Sequence, residues 1–430
     1  PDVRRWTMVV GALFVFAAAC SGDTGADSGA PSTAPTTSVV DEVIETAPTT
    51  SVADDGIERS ESLVSGPGRL VVVDDSDQVV TIDPDGSDPV VLTEPTDEPF
   101  QPTWSSDGSV VAYATRSTPS HVVLAEADGG GARRVPVDSP AFYLSWSPDD
   151  EQLAALRNGA ESVALDVVDL TQADPVASEV DQGAPYWLSW DPQGDRFVAH
   201  VGTDRLDVVG VDGEIASLGL APGAFSVPDW TEAGVLAIGV EGGQQALVRI
   251  GPGGVDVVAA VDGVASFSAN PTGAEVAIQT FDPEGAGDVV EAALPAQQPL
   301  PPNTLLVLDL ETDELTVVSL QRALAFFWSP LGDQLLVLEA GEAERTVQWK
   351  LWDGETLRDG PVFEPSTGFV TEFLGFFDQY QRSMSLWAPD GSGFAFPGRV
   401  EGEDGIWLAD AASLDATKVA EGSWVAWSPT

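Results

Sequence analysis

Short apolar runs alternate with polar turns along most of the chain, and one pattern returns at intervals of about forty residues. An apolar run ends in Trp, a turn resembling Ser-Pro-Asp-Gly follows, and a second apolar run comes next, as in LSWSPDDEQLAAL at 144–156. Pro presets φ at the second turn position, Asp accepts hydrogen bonds from nearby backbone, and Gly adopts a positive φ. The pattern therefore predicts a tight turn between two short antiparallel strands.

The copies of this pattern are numerous enough to define the fold. Seven of them carry Trp at the anchor position: Trp104, Trp146, Trp190, Trp230, Trp328, Trp387 and Trp427. An eighth copy, FSANPTG, has Ala269 there, and successive spacings are 42, 44, 40, 39, 59, 59 and 40 residues. Each unit predicts four short strands, which bury too little surface alone, so neighbouring units must stack. A period near forty with four strands per unit is typical of a β-propeller blade.

The two ends of the repeat region complement each other. The last copy stops three residues after Trp427 and supplies one strand, whereas apolar runs at 70–74, 79–82 and 90–92 supply three. We predict that these runs pair with the C-terminal strand, because the pairing leaves no open edge between first and last units. The prediction is an all-β protein with a single propeller over 68–430, of eight four-stranded blades. Seven blades, with one motif degenerate, is the alternative.

The repeat also resembles a known family. The Trp-Ser-Pro-Asp-Gly turn followed by an apolar strand, with turns such as Ala127-Asp128-Gly129-Gly130, resembles the WD-like, TolB-type propeller repeat. The resemblance covers roughly 68–430 and implies the propeller fold. It implies two kinds of role, since such propellers serve as binding platforms and as accessory domains of enzymes. The eight predicted units exceed the six expected of TolB itself.

The N-terminal region has the features of a targeting segment. Arg4 and Arg5 precede an apolar run at 7–19 that is too short to span a bilayer comfortably. The run leads to Cys20, the only cysteine, and resembles a bacterial lipobox in which Cys20 becomes lipidated. Residues 1–19 are thus predicted as a signal peptide, and 20–67, rich in Ser, Thr, Pro and Asp, as a disordered tether. We expect an extracytoplasmic protein anchored to the bacterial cell membrane, with secretion or a periplasmic location as the alternatives.

Charge narrows the range of partners. The formal net charge is −51, and Lys350 and Lys418 are the only lysines. Such a surface repels nucleic acid and anionic lipid headgroups, so we expect neither as a partner and membrane contact only through the lipid anchor. A monomer is expected, with the acidity serving solubility.

Residues for catalysis or metal binding are sparse in the sequence. His121 and His200 are the only histidines, and no Gly-x-Ser-x-Gly nucleophile motif occurs. The acidic stretch at 83–88 (DPDGSD) offers oxygen ligands for Ca²⁺ but lacks the twelve-residue calcium-loop pattern, and turn chemistry explains it equally well. The sequence therefore predicts no catalytic residue, no metal ligand and no cofactor, and leaves Ca²⁺ as an open alternative.

Two insertions interrupt the forty-residue rhythm. The first, 282–303, falls between the second and third strands of the fifth unit and predicts an extended surface loop. The second, 361–383, precedes the seventh Trp motif, and it is rich in aromatic residues and carries an arginine. Functional residues concentrate on loops held by a rigid scaffold, and Tyr and Arg are frequent interface anchors. The predicted binding surface is Phe376, Phe377, Asp378, Gln379, Tyr380 and Arg382. The alternative is that these aromatics cap a wide propeller channel.

Three functions fit these features. The first is a non-enzymatic lipoprotein whose propeller binds a protein or a cell-envelope component. The second is a propeller hydrolase or lyase that acts on extracellular polysaccharide. The third is a structural module stabilised by Ca²⁺ or salt. Turnover of a glycan would identify the second, and a melting temperature that rises with Ca²⁺ or NaCl would identify the third.

Overall fold

A computed structural model describes residues 66–281 and 300–430. The predicted signal peptide, Cys20 and the tether up to residue 65 lie outside this range, as does most of the first insertion, 282–299. Within the two described ranges, no helix is long and apolar enough to cross a membrane.

One sheet joins the two ends of the described chain. Its strands are β1 (Leu70–Val73), β2 (Val79–Ile82), β3 (Val90–Val91) and β32 (Trp424–Trp427), in the order β3-β2-β1-β32. β1 and β32 are antiparallel, with Leu70 opposite Trp427 and Val73 opposite Trp424. The predicted pairing between the N-terminal strands and the C-terminal strand is therefore present.

Three four-stranded antiparallel sheets follow, each with its strands in chain order and a Trp motif at the end of its first strand. Their strands are β4 (Pro99–Trp104), β5 (Val110–Thr115), β6 (His121–Glu126), β7 (Ala132–Pro136); β8 (Ala141–Trp146), β9 (Gln152–Asn158), β10 (Val163–Asp169), β11 (Ala177–Gly183); and β12 (Tyr186–Trp190), β13 (Arg196–Val201), β14 (Arg205–Gly210), β15 (Ile215–Ser217).

The next two sheets depart slightly from this scheme. In the five-stranded one, two short strands, β16 and β17, both pair with β18. In the other, Ala269 replaces the anchor Trp, and the first insertion separates β22 from β23, as predicted. The strands are β16 (Ala221–Pro222), β17 (Asp229–Thr231), β18 (Gly234–Glu241), β19 (Gln244–Gly251), β20 (Gly254–Ala260); and β21 (Val264–Ala269), β22 (Glu275–Phe281), β23 (Leu305–Asp309), β24 (Leu315–Ser319).

The last sheet has seven strands and carries two Trp motifs. It contains β25 (Ala323–Trp328), β26 (Leu335–Ala340), β27 (Val347–Trp352), β28 (Leu357–Pro365), β29 (Gly393–Val400), β30 (Glu403–Asp410) and β31 (Ala416–Ala420), in that order. The long β28 reaches β29 by pairing Glu364 with Arg399, so two repeat units merge into one sheet. β28 also extends into the start of the predicted second insertion. Trp387 of the later motif meets Phe394 in an isolated bridge. The number of blades stays a prediction.

Five anchor tryptophans connect a repeat unit to the preceding unit, because an indole N–H that becomes buried needs a hydrogen-bond acceptor. The bonds run from Nε1 to a carbonyl oxygen: Trp104 to Ala426 (3.3 Å), Trp146 to Thr103 (3.4 Å), Trp190 to Ser145 (3.2 Å), Trp328 to Ser268 (3.0 Å) and Trp387 to Phe327 (3.2 Å). Where Ala269 replaces Trp, its backbone N–H donates instead to Asp229 Oδ2 at 3.0 Å. With their apolar faces packed between the sheets, these units form a β-propeller.

Candidate functional site

The second insertion folds into three short helical turns. They are a π-helix at Phe369–Phe373, a 3₁₀-helix at Leu374–Phe376 and an α-helix at Phe377–Tyr380. Ser366 Oγ accepts the backbone N–H of Phe369 at 3.1 Å, which starts the first turn. Its aromatic residues recur every three or four positions, the spacing that places side chains on one helical face. We call residues 366–384 the plug.

The plug lies among the first strands of several sheets. Its side chains reach β4 through Gln101, β8 through Tyr143, β12 through Leu188 and β17 through Asp229. It also packs on β25 and β32, where the rings of Phe326 and Trp424 lie 5.2 Å from Phe377 and 5.8 Å from Phe373, respectively. A single segment can touch first strands of so many sheets only from the space that they enclose. The plug therefore occupies the central channel.

Gln379 holds the plug to β8 and β12. Its side chain is fully buried. Its Oε1 accepts the N–H of Leu188 at 2.9 Å, and its Nε2 donates to the Leu188 carbonyl at 2.9 Å and to Tyr143 Oη at 2.7 Å. Both N–H donors and one lone pair of the oxygen of this amide are thus used inside the protein. Gln379 thus acts as a structural residue at this position.

Tyr380 holds the plug to β4 and β8. Its ring is 5% exposed, and its hydroxyl accepts a hydrogen bond from Gln101 Nε2 and donates one to the Phe142 carbonyl at 2.7 Å. Burial raises the pKa of Tyr380 above its usual range. Gln379 and Tyr380 therefore match the channel-capping alternative, since neither presents its side chain to a partner.

Phe376 is the member of the predicted binding surface that stands most exposed. Its side chain is 36% exposed and meets Trp187 edge-on at 5.9 Å, and Trp187 stacks on Phe225 at 5.6 Å. We call these three residues the aromatic patch. Phe377, by contrast, turns inward between Phe326 and Phe327. Trp187 and Phe225 were missed by sequence reasoning, and the one available signal was the extra Trp in YWLSW beside the anchor Trp190.

Asp378 has an altered acidity on the same helical turn. Desolvation raises its pKa to about 6, although the nearby Arg382 opposes the shift and the backbone N–H of Gln379 donates to Oδ1 at 3.1 Å. The side chain is half-buried. The pKa of Asp378 therefore lies well above that of an ordinary aspartate.

The other end of the channel, where the first strands reach their Trp motifs, is hollow. A cavity of about 540 Å³ opens there, lined by the anchor tryptophans of several sheets together with Gln381, Arg382 and Met384 of the plug. A smaller cavity of about 180 Å³ also lies against Arg382. Arg382 forms an ion pair with Asp229 through Nη1, while its Nε and Nη2 are buried without a partner in the protein. We call the larger of the two cavities the arginine cavity.

The candidate metal ligands do not converge. Across 66–281 and 300–430, no group of three or more His, Cys, Asp or Glu side chains is placed to hold a metal ion. In the acidic stretch at 83–88, Asp83 pairs with Arg69 at 2.8 Å, and Asp85 accepts the backbone N–H of Ser87 at 2.9 Å. His200 is buried on β13 beside the carbonyl of Ser226, and desolvation lowers its pKa.

No family model and no curated protein matches this chain. Among solved structures, it is similar to the dihydro-heme d1 dehydrogenase NirN in complex with DHE, with a TM-score of 0.55 and 13% identity over 88% of this chain and 78% of that one. It is also similar to a eukaryotic initiation factor, with a TM-score of 0.54 and 13% identity over 84% of this chain and 98% of that one. At such low identity, the likeness shows the fold alone.

TolB from Acinetobacter baumannii is also among the similar structures. Its TM-score is 0.36, with 14% identity over 69% of this chain and 66% of that one. A score of this size carries no argument about function. The sheet topology defines the class as a β-propeller, and the TolB-type resemblance stays a resemblance of the sequence repeats.

Proposed function

We propose that this chain is an extracytoplasmic lipoprotein that binds a protein or a cell-envelope component through the aromatic patch and catalyses no reaction. The observation that carries the proposal is the exposure of Phe376, with Trp187 and Phe225 beside it, at the plugged mouth of the propeller channel. Aromatic side chains of this kind dominate the energetics of protein interfaces.

The patch rests on a rigid base. Phe376 belongs to the plug, which Gln379 and Tyr380 hold to three different first strands through buried hydrogen bonds. A surface that is already ordered loses little conformational entropy on binding, so more of the contact energy remains as affinity. The plug thus serves the proposal as the support of the binding surface, while its buried residues stay out of the interface.

Charge indicates the kind of partner. The net charge of −51 attracts a basic partner over distance and accelerates its association at low ionic strength. Arg116 and Glu372, which pair at 3.4 Å, add polar groups on the plug side of the propeller. We therefore expect a partner with an apolar contact surface surrounded by basic residues.

The N-terminal sequence supports the location. A predicted signal peptide over 1–19, followed by Cys20 and a long polar tether, suits a domain held outside the cytoplasm and away from the membrane surface. Metabolic labelling with a radioactive fatty acid should mark the wild-type protein and leave Cys20→Ala unlabelled. Equal labelling of both proteins would contradict lipidation at Cys20.

In-cell crosslinking with mass spectrometry tests the binding surface. We expect a partner that is enriched with the wild-type protein and lost with the double variant Trp187→Ala, Phe376→Ala. Leu331→Ala is the matched control, because Leu331 is 58% exposed but lies in a turn at the opposite, Trp-motif end of the sheets. A partner that survives the double variant, or that disappears equally with the control, would remove the patch from the proposal.

A further inference from the structure

A buried histidine lies directly beneath the aromatic patch. His200 of β13 is 1% exposed and stands opposite Trp187 of β12 in the antiparallel pairing. Directly opposed residues place their side chains on the same face of a sheet, with Cβ atoms about 5 Å apart. The ring of Phe225 lies 4.7 Å from the imidazole. Two of the three residues of the aromatic patch are therefore immediate neighbours of His200.

The hydrogen bonds of His200 suit a neutral ring. Nδ1 lies 3.2 Å from the carbonyl oxygen of Ser226 and 3.5 Å from its backbone nitrogen, whereas Nε2 is buried and has no partner among the described residues. A neutral imidazole carries one N–H and needs one acceptor, but an imidazolium carries two and needs two. Protonation would therefore leave a charged N–H without an acceptor inside the protein.

The residues that contact or oppose the imidazole are uncharged. They are Trp187 of β12, Leu206 of β14, and Phe225 and Ser226 of the segment between β16 and β17. Their neighbours Tyr186, Arg205 and Asp207 alternate with them along the strands and so point to the other face of the sheet, where Arg205 pairs with Asp207 at 2.9 Å. Desolvation lowers the pKa of His200, and no charged group in the described part of the chain compensates it.

We propose that His200 is a pH-dependent switch of the aromatic patch, in which protonation of the imidazole displaces Phe225 from Trp187 and weakens binding of the partner. This inference rests on the function proposed for the patch. The imidazolium gains a water molecule as acceptor only when the residues above it move, because the neutral ring is closed off from solvent. Ser226 is bonded to Nδ1 and follows Phe225 in the chain, so a shift of the ring is passed directly to Phe225.

The direction of the switch follows from the acidity of the two forms. In the opened patch His200 has its ordinary pKa of about 6.5, whereas burial lowers the pKa in the closed patch. Protons therefore bind preferentially to the open form, and the open fraction rises as the pH falls below 6.5. Between pH 7.5 and pH 5 the ratio of open to closed patch rises by up to about thirtyfold, the limit for a closed form that takes up no proton.

This factor is large enough to act on binding if the closed form has a modest excess. With about ten closed molecules for each open one at pH 7.5, a thirtyfold change gives about three open for each closed at pH 5. The apparent affinity of a partner that needs the closed patch then falls about fourfold. Local opening of a short surface segment commonly has so small a free energy.

Asp378 of the plug titrates in the same pH range but with the opposite effect. Desolvation raises its pKa to about 6, so the folded plug gains stability when Asp378 takes up a proton. Opening of the patch on acidification is therefore not a consequence of Asp378.

Hydrogen–deuterium exchange of the full-length protein at pH 7.5 and pH 5 tests the opening without a partner. The amides of Gly223, Ala224 and Ser226 are hydrogen-bonded in the closed patch. After correction for the intrinsic pH dependence of exchange, we expect them to lose about tenfold in protection at pH 5, while the strands of the other sheets keep theirs.

Variants assign the effect to one histidine. His200→Asn keeps a neutral amide N–H near the position of Nδ1 and does not titrate, so exchange at 223–227 should show no difference between the two pH values. His200→Gln serves the same purpose if the first variant does not fold. His121→Asn, a change of the other histidine, at the start of β6, is the matched control and should keep the pH dependence of the wild type.

Crosslinking on whole cells in media at pH 7.5 and pH 5 follows the partner. We expect recovery with the wild type to fall about fourfold at pH 5 and recovery with His200→Asn to be equal at both pH values. Recovery of the partner in equal amounts with the wild type would overturn the switch. Absence of any partner at pH 7.5 would instead contradict the proposed function, and hydrogen exchange would still decide whether His200 opens the patch.

Three exchange results would also overturn the proposal. They are unchanged protection of 223–227 between the two pH values, the same change in His200→Asn as in the wild type, and a simultaneous loss of protection over the whole domain, which would mean global unfolding in acid.

Discussion

Asp378 shows how one residue of the plug makes stability depend on pH. Its pKa is raised to about 6 by desolvation, so the folded protein keeps this proton in a pH range where the unfolded chain has lost it. The resulting destabilisation of the folded state is small at pH 4 and below, grows as the pH rises from 4 to 6, and levels off above 6, where both states become ionised.

Asp378→Asn should therefore stabilise the protein at pH 8 and leave its stability unchanged at pH 4. Two pKa units would correspond to about 3 kcal/mol, and partial exposure reduces the expected gain to about 1–2 kcal/mol. Urea unfolding of both proteins at pH 4, 6 and 8 measures it. Asp404→Asn is a control of opposite sign, because Arg399 lowers the pKa of Asp404, and the variant loses that contribution above pH 4. A gain for Asp378→Asn that is the same at every pH would contradict the raised pKa.

At the scale of elements, the plug is held by a few buried polar side chains rather than by strand pairing. Gln379→Met keeps the length of the side chain but leaves the N–H and carbonyl of Leu188 without their partner. It also removes the bond from Nε2 to the hydroxyl of Tyr143, which still donates to the main-chain carbonyl of residue 379 at 3.3 Å. We expect a loss of about 2–4 kcal/mol in the free energy of unfolding, measured by urea denaturation.

Gln381→Met is the matched control for this change. It makes the same substitution two positions further along the chain. Because Gln381 Nε2 is buried without a partner, loss of this amide should leave the free energy of unfolding unchanged or raise it slightly. Equal losses for the two variants would mean that the hydrogen bonds of Gln379 do not hold the plug.

The repeats could be predicted because their sequence signals are local. The position of the plug could not be predicted in this way. The Trp, the turn residues and the following apolar strand lie within about a dozen residues, and this spacing alone predicts the hairpin. The position of the plug depends instead on strands far apart in sequence: Gln379 meets Tyr143 and Leu188, which are 236 and 191 residues away. The sequence marked the second insertion as exceptional. It could not show that Phe376 would be exposed, that Tyr380 would be buried, or that Arg382 would use only part of its hydrogen-bonding capacity.

At the scale of the whole molecule, the last strand is expected to hold the two ends of the propeller together. β32 pairs with β1, and the N–H of Trp427 donates to Ser385 at 2.7 Å, so β32 contacts both the first and the last repeat units. Deletion of 425–430 removes Val425, Ala426 and Trp427, which are buried. Thermal unfolding should show a fall in the melting temperature of the whole domain. A truncated protein that melts like the full-length one would show that this sheet is dispensable.

The pairing of β1 with β32 also governs when the domain can finish folding. Arg69 and Ser428 bond to each other across 359 residues of chain, through the Ser428 hydroxyl at 2.8 Å. At about 5–20 residues per second, synthesis of the intervening chain takes roughly 20–70 s. During this time the earliest strands have a free edge open to wrong pairing. Folding of this domain therefore includes a waiting period, during which a chaperone that covers strand edges would have its greatest effect.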